Sequence, residues 1–190
     1  QVNRLKHKLR DEGIPHYMTM EPTDSPIGGV IRQIMTGRVK ADNRVIALLF
    51  AADRLDHLLN DVNGIAEKVE NGTTVVSDRY YLSSYAYHGV DLPMEWVVEA
   101  NAPSAQTLKP TIHIFIDTSI ETVMDRIRRR GTQRELFEKE ARLAAVREKY
   151  FEAIELLKGK ENIIIIDGNR SPEEIFDEVW ETVRPLWGNG

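Results

Sequence analysis

The sequence predicts an α/β protein built on a doubly wound parallel sheet flanked by helices. Three short runs, "TTVVS", "TIHIFI" and "NIIIID", are apolar almost throughout and rich in β-branched residues. Strands buried on both faces have this composition, whereas a half-exposed strand alternates. Segments with apolar residues at helical spacing separate the runs, which is the rhythm of helices crossing between parallel strands.

The elements follow in order. "QVNRLKHKLRDEG" carries Val2, Leu5 and Leu9 at helical spacing, with Gly13 placed as a C-terminal stop. Ile14 to Met20 is a strand, and Glu21 to Gly29, rich in Pro, Gly, Asp and Ser, is a loop. A short helix covers "IGGVIRQIM". Asp42 then caps a long helix reaching about Glu70, interrupted near Gly64, with Val45, Leu48, Leu49, Ala52, Leu55, Leu59 and Val62 on one side. After the strand "TTVVS" come a loop, a helix around "MEWVVEANA", the strand Thr111 to Ile116 and a helix over "IETVMDRIRRR". A charged segment from Gly131 to Glu138 leads into a helix ending near Leu157, then the strand "NIIIID" and a last helix from Pro172. No repeat, low-complexity tract or linker interrupts this pattern, so residues 1–190 are expected to form one domain.

Composition narrows the function. A chain that is 42% hydrophobic and 29% charged is ordinary for a globular protein, and a net charge of −5 lacks the basic footprint of nucleic-acid binding. With no cysteine there is no disulfide framework, thiolate metal site or cysteine nucleophile, which fits a reducing cytoplasm. No apolar stretch approaches the roughly 20 residues of a membrane helix, and the first residues have no signal-peptide core. The five histidines show no metal-ligand spacing, and no Ser-His-Asp constellation points to hydrolysis.

In doubly wound sheets ligands bind beyond the carboxyl ends of the strands. Glu21, Asp78, Asp117 and Asp167 each follow a strand there. Asp78 and Arg79 read alone are a turn-opening ion pair, or else a carboxylate and a fork of donors suited to a phosphate. Phe50 and Arg54 stand one helical turn apart. They are a core residue with a surface salt bridge to Asp53 or Asp56, or else a flat ring for stacking on a base and a donor-only guanidinium that prefers a carbonyl. Arg126, Arg128, Arg129, Arg130 and Arg134 cluster around Gly131. Such a run is a solvated helix end, or else compensation for phosphate charge.

"EPTDSPIG", "LLFAADRLDH", "VVSDRYYLSSYAYHG", "DRIRRRG" followed by "TQRELFE", and "IDGN" occur in this order. Together they resemble the thymidylate kinases, members of the P-loop nucleoside monophosphate kinases, over essentially the whole chain. The resemblance implies a three-layer α/β/α P-loop kinase-like fold and transfer of the γ-phosphoryl of ATP to dTMP, with Mg2+ as cofactor. It implies that Asp78 serves magnesium and that Arg79 meets the acceptor phosphate. Phe50 and Arg54 would read thymine, Ser84 would touch the base and Tyr87 would lie beneath the deoxyribose, excluding a 2′-hydroxyl. Glu21 is implied beside the acceptor as a partner for magnesium or Arg79. The family's preceding arginine is replaced by Met20. A lid at about 131–138 would bring Arg130 and Arg134 to the phosphates, with Glu138 holding an arginine. Arg126, Asp167 and Gly168 would border the adenine, and the long helix from Asp42 would pair with a second copy in a homodimer.

Family members begin with a strand and a G-x-x-x-x-G-K-[ST] loop that cradles ATP phosphates. The 190 residues contain no such loop, and "QVNRLKHKLRDEG" corresponds to the helix after it. The expectation is therefore a sheet without its middle strand. A shortened chain is favoured over a non-catalytic relative, because a central strand is harder to lose than one lysine. Two readings stay open beside dTMP phosphorylation: a kinase of another nucleoside monophosphate or deoxynucleoside, and a nucleotide-binding module without catalysis.

Overall fold

The computed structural model describes residues 1–129 and 136–188. Its elements run α1 (Val2–Asp11), β1 (His16–Met20), α2 (Pro26–Met35), α3 (Asn43–Leu59), α4 (Ile65–Glu70), β2 (Thr74–Asp78), α5 (Tyr81–His88), α6 (Met94–Thr107), β3 (His113–Asp117), α7 (Ile120–Arg129), α8 (Leu136–Leu157), β4 (Ile163–Asp167) and α9 (Pro172–Val183), with a closing 3-10 turn at Arg184–Trp187.

All four strands form at the predicted runs, and they pair in parallel as β1–β2 and β3–β4. The two pairs are separate two-stranded sheets. Between them lies a cavity of about 500 Å³ lined by Val75, Val76 and Ser77 of β2 and by His113, Ile114 and Ile116 of β3. The cavity thus divides the strands into two pairs.

Strand alternation assigns the two faces. Ile114, Ile116, Ile164 and Ile166 pack toward Ile175 and Val179 of α9. Leu5 and Leu9 of α1 join Val183, Val76 and Ile114 in an adjoining cluster on the same side. Phe115 turns the other way, stacked on Tyr150 of α8 at 4.6 Å. Beyond it, α5, α6 and α8 share a core of Tyr81, Tyr85, Val97 and Ala153. The result is the three-layer α/β/α arrangement.

Local chemistry explains the boundaries. Gly13 ends α1 at φ 70°, and the N–H groups of Gly13 and Ile14 bond to the carbonyls of Arg10 and Leu9. Ser171 and Glu174 form a reciprocal capping box that starts α9. The predicted long helix is two helices. At the break, Asn60 Oδ1 accepts from the Val62 N–H at 2.9 Å, a side-chain turn that competes with helical bonding. The stretch read as a loop after β2 contains α5, whose Tyr81, Leu82, Tyr85 and Ala86 repeat at helical spacing and are buried. Tyr and Ser are weak helix formers, so propensity hid a helix that tertiary packing imposes.

Candidate functional site

The register pairs Met20 with Asp78 and Asp117 with Asp167, so the acids flagged in the sequence sit at the carboxyl ends of their paired strands. At the exit of β2, Asp78 is exposed, and Arg79 adopts φ 76°, a left-handed conformation. Such a backbone costs a non-glycine residue about 1–3 kcal/mol and must be held by its surroundings. Here the Ser77 hydroxyl donates to the Arg79 carbonyl at 2.7 Å, and the guanidinium lies 4.9 Å from the centre of the Tyr87 ring. The reversed turn therefore aims Arg79 back across α5.

Glu21, Phe50, Arg54, Arg79, Ser84 and Tyr87 all line one cavity of about 370 Å³. Four separate stretches of chain converge there: the loop after β1, α3, the turn after β2, and α5. The Phe50 ring rests against His88 with centroids 5.1 Å apart. Burial, helped by the charge on Arg54, pushes the His88 imidazole down to about 4, so this backing group is neutral at physiological pH.

Beneath the cavity is a saturated polar layer. Asp53 is fully buried, and its carboxylate accepts from the Thr23 N–H at 2.8 Å, the Thr23 hydroxyl at 2.6 Å and the Ser25 hydroxyl at 2.9 Å. Neighbouring Arg54 is 1% exposed. Its Nε donates to Glu21 Oε2 at 2.8 Å, one terminal nitrogen makes an ion-pair contact with the same oxygen at 2.6 Å, and its other terminal nitrogen donates to Asn101 Oδ1. The other Glu21 oxygen lies 3.3 Å from His57 Nδ1, and His57 Nε2 lies 2.6 Å from the Thr19 hydroxyl. Successive residues of α3 therefore clamp the loop after β1 at two points. A surface salt bridge from Arg54 to Asp53 or Asp56 does not form. Glu21 lines the cavity with its carboxylate turned to Arg54 and His57; Arg79 is not its partner.

The β3–β4 side is built differently. Arg126 on α7 donates to the carbonyls of Gly168 at 3.0 Å and Arg170 at 3.4 Å, so Arg126, Asp167 and Gly168 come together as the sequence suggested. Asp167 accepts from the backbone and side chain of Asn169, which hold its carboxyl below the usual range. A Cβ on Gly168 would stand 2.1 Å from Thr118 Oγ1 and 3.0 Å from the Asp117 carbonyl, so only glycine permits this close crossing of two loops. Arg147 meets Asp117 through two bonds of 2.6 and 2.7 Å. The expectations on Arg130, Arg134, the side chain of Glu138 and the lid fall outside the described residues. Among the described residues, no group of three or more His, Cys, Asp or Glu is placed to hold a metal, and no helix is long and apolar enough to cross a membrane.

The sequence profile of the family described as thymidylate kinase matches residues 1–179. The chain belongs to the thymidylate kinase family. That family is one of nucleoside monophosphate kinases, so the chain is a member of an enzyme family of phosphotransferases. A probable thymidylate kinase of Methanocaldococcus jannaschii is 35% identical over 173 residues, which covers 90% of this chain and 84% of that protein. A probable thymidylate kinase of Caldivirga maquilingensis is 37% identical, covering 90% and 80% respectively. A putative thymidylate kinase of Treponema pallidum is 31% identical, covering 87% and 79%.

Against that family background, several residues of the pocket and of the polar layer beneath it were not singled out from sequence. Asp53 and His57 share the face of α3 that carries Phe50 and Arg54, and the i, i+3, i+4, i+7 spacing was the signal available for them. His88 falls inside the recognised "VVSDRYYLSSYAYHG" stretch without having been assigned a role, and Asp91 lies just past it. Arg142 is joined to Asp91 by bonds of 3.2 and 2.7 Å and lines the same cavity, but it is distant in sequence. Asn101 carries no local signal at all, because it is one polar residue in a helix of mixed composition.

Proposed function

We propose that this chain is the acceptor-recognising kinase domain for dTMP, transferring the γ-phosphoryl of ATP in line to the 5′-phosphate to give dTDP and ADP. The observation that carries this reading is the convergence of Phe50, Arg54, Arg79, Ser84 and Tyr87 on one nucleotide-sized cavity. In it Phe50 stacks on the base and Arg54 donates to a thymine carbonyl. Ser84 borders the base, Tyr87 closes on the deoxyribose, and Arg79 binds the acceptor phosphate. Glu21 acts through Arg54. The acceptor phosphate is already an anion, so transfer needs positioning and charge neutralisation rather than a strong general base.

Magnesium sites that share phosphate ligands take only one or two carboxylates from the protein. The exposed carboxylate of Asp78, at a strand end beside Arg79, fits that role, and Asp78 would hold the ion directly or through water. A bound magnesium ion would neutralise charge on the donor phosphates. Arg126, Asp167 and Gly168 border the adenine, and Arg130, just before the 131–138 lid, and Arg134 within it compensate the transferring phosphoryl group. The whole of 1–190 acts as one domain, in the cytoplasm.

The homodimer reading draws support from α3. Val45, Leu48 and Leu59 are 48%, 49% and 55% exposed along one side of it, an apolar stripe suited to a second copy.

The alternative, a module that binds dTMP without transferring phosphate, is separated from the first reading by experiment. Melting the chain alone and with dTMP, dCMP or AMP tests the acceptor site, since a ligand of the folded state raises the melting temperature with its affinity. A shift selective for dTMP supports both readings, and none removes both. Formation of ADP and dTDP from ATP and dTMP then separates them.

A further inference from the structure

We propose that Asn101 is the positioning residue that fixes the plane of the Arg54 guanidinium, and through it sets the pocket's preference for a pyrimidine with a carbonyl over one with an amino group. The inference rests on the acceptor reading given above.

A guanidinium has five N–H groups and no acceptor. Nε of Arg54 donates to Glu21 Oε2 at 2.8 Å, and a terminal nitrogen lies 2.6 Å from the same oxygen as its ion-pair contact. A single oxygen fixes a point about which the planar group can still pivot. The second hydrogen bond, to Asn101 Oδ1 from the other terminal nitrogen, turns that point into a plane. Two of the five N–H groups are then hydrogen-bonded, and donors remain on both terminal nitrogens for the cavity that Arg54 lines. Both are donors, so the edge they present matches a carbonyl and repels an amino group.

Asn101 is itself held. Its amide nitrogen donates to the Val97 carbonyl at 2.7 Å, which assigns the amide so that its oxygen faces Arg54. At 1% exposure it is sealed between α6 and α3 and does not line the cavity, so any effect on the nucleotide passes through Arg54. A neutral acceptor also suits the position. The Glu21–Arg54 pair is already balanced, and the amide orients the cation without cancelling more of the charge its remaining donors carry.

The test measures dissociation constants of dTMP, dUMP and dCMP by calorimetry for the parent chain, Asn101→Leu and Asn101→Asp, with a melt of each. Leu keeps the volume and removes the acceptor, while Asp keeps an acceptor oxygen. For Asn101→Leu, dTMP and dUMP should weaken together by about tenfold, the loss of one charge-assisted contact, while dCMP stays unchanged, so the dTMP-to-dCMP preference falls about tenfold. Asn101→Asp should keep most of that preference. A purely structural role would lower the melting temperature and leave the preference of the folded protein intact, and that result overturns the inference alone. If Asn101→Leu does not fold, full loss of preference in the folded Asp variant likewise overturns it. A parent chain that does not favour dTMP over dCMP overturns the acceptor reading and this inference with it.

Discussion

The proposed acceptor pocket and the Asp167 turn both lie at the carboxyl ends of strands, yet different materials hold them. Under the pocket, Asp53, Arg54, Glu21, His57 and Asn101 are all buried and bonded to one another or to the loop they clamp. At the turn, Asp167 and Asn169 are exposed, and order comes from backbone packing at Gly168 and from Arg126 reaching to carbonyls. A flexible side chain that must present donors at a fixed angle needs a dry, saturated frame behind it. A turn whose own backbone sets the shape needs only room, and a missing Cβ supplies it.

If that distinction holds, the largest effect comes from opening the buried frame. Asp53→Ala leaves the Thr23 N–H and hydroxyl and the Ser25 hydroxyl without their acceptor and should cost about 4 kcal/mol. Denaturant unfolding of parent and variant measures it. The matching change at the exposed turn, Asp167→Ala, should leave the midpoint where it was. Equal losses at the two positions would end the contrast.

Acid sharpens the comparison from the pocket side. Burial holds His88 neutral, lowering it from 6.5 to about 4. The unfolded chain therefore binds more protons than the folded one between those values. Stability is complete above about pH 6.5 and declines as the pH falls toward 4, by about 3 kcal/mol at most. His113, likewise lowered by burial although the Glu161 carboxylate opposes it, adds in the same direction. Melting temperature against pH should flatten in His88→Gln. A variant as acid-sensitive as the parent would remove His88 as the source.

Arg79 separates function from stability within the pocket. Its left-handed backbone favours glycine, so Arg79→Gly should keep or slightly raise the melting temperature while weakening dTMP binding about 100-fold through loss of the phosphate-facing cation. Calorimetry and a melt on the same sample decide it. Loss of both would make Arg79 a structural residue.

The same division explains what could be read from the sequence. The strands were legible because "TTVVS", "TIHIFI" and "NIIIID" are short runs rich in β-branched residues between helical segments, although β4 is covered on only one face, with Ile166 buried and Ile165 45% exposed. Phe50, Arg54, Arg79 and Tyr87 were legible because their spacing is local and their order resembles a family. The frame was not, since Asn101 to Arg54 or Asp91 to Arg142 are pairs made only by tertiary packing. Helix α5 was missed because Tyr and Ser are weak formers held in place by the core. The exposed stripe of α3 shows the limit of periodicity: Val45, Leu48 and Leu59 share a side, but the side buried in this chain carries Ala47, Ala51, Arg54 and Leu58.

The smallest effect tests the backbone half of the comparison. In Gly168→Ala the new methyl group meets Thr118 Oγ1, which can rotate away, but also Ile116 Cγ2 at 2.8 Å and the Asp117 carbonyl at 3.0 Å, which are set by β3. The bond from the Gly168 N–H to that carbonyl, 2.7 Å long, must stretch as the loops part. The cost should be about 2 kcal/mol, in the range of overpacking, read as a lowered unfolding midpoint. Because the Gly168 carbonyl accepts from Arg126, the shift would also loosen that arginine, and ATP binding should weaken while dTMP binding does not. A variant that unfolds like the parent would mean that the turn yields easily, and that its order comes from Arg126 rather than from the close crossing of its backbone.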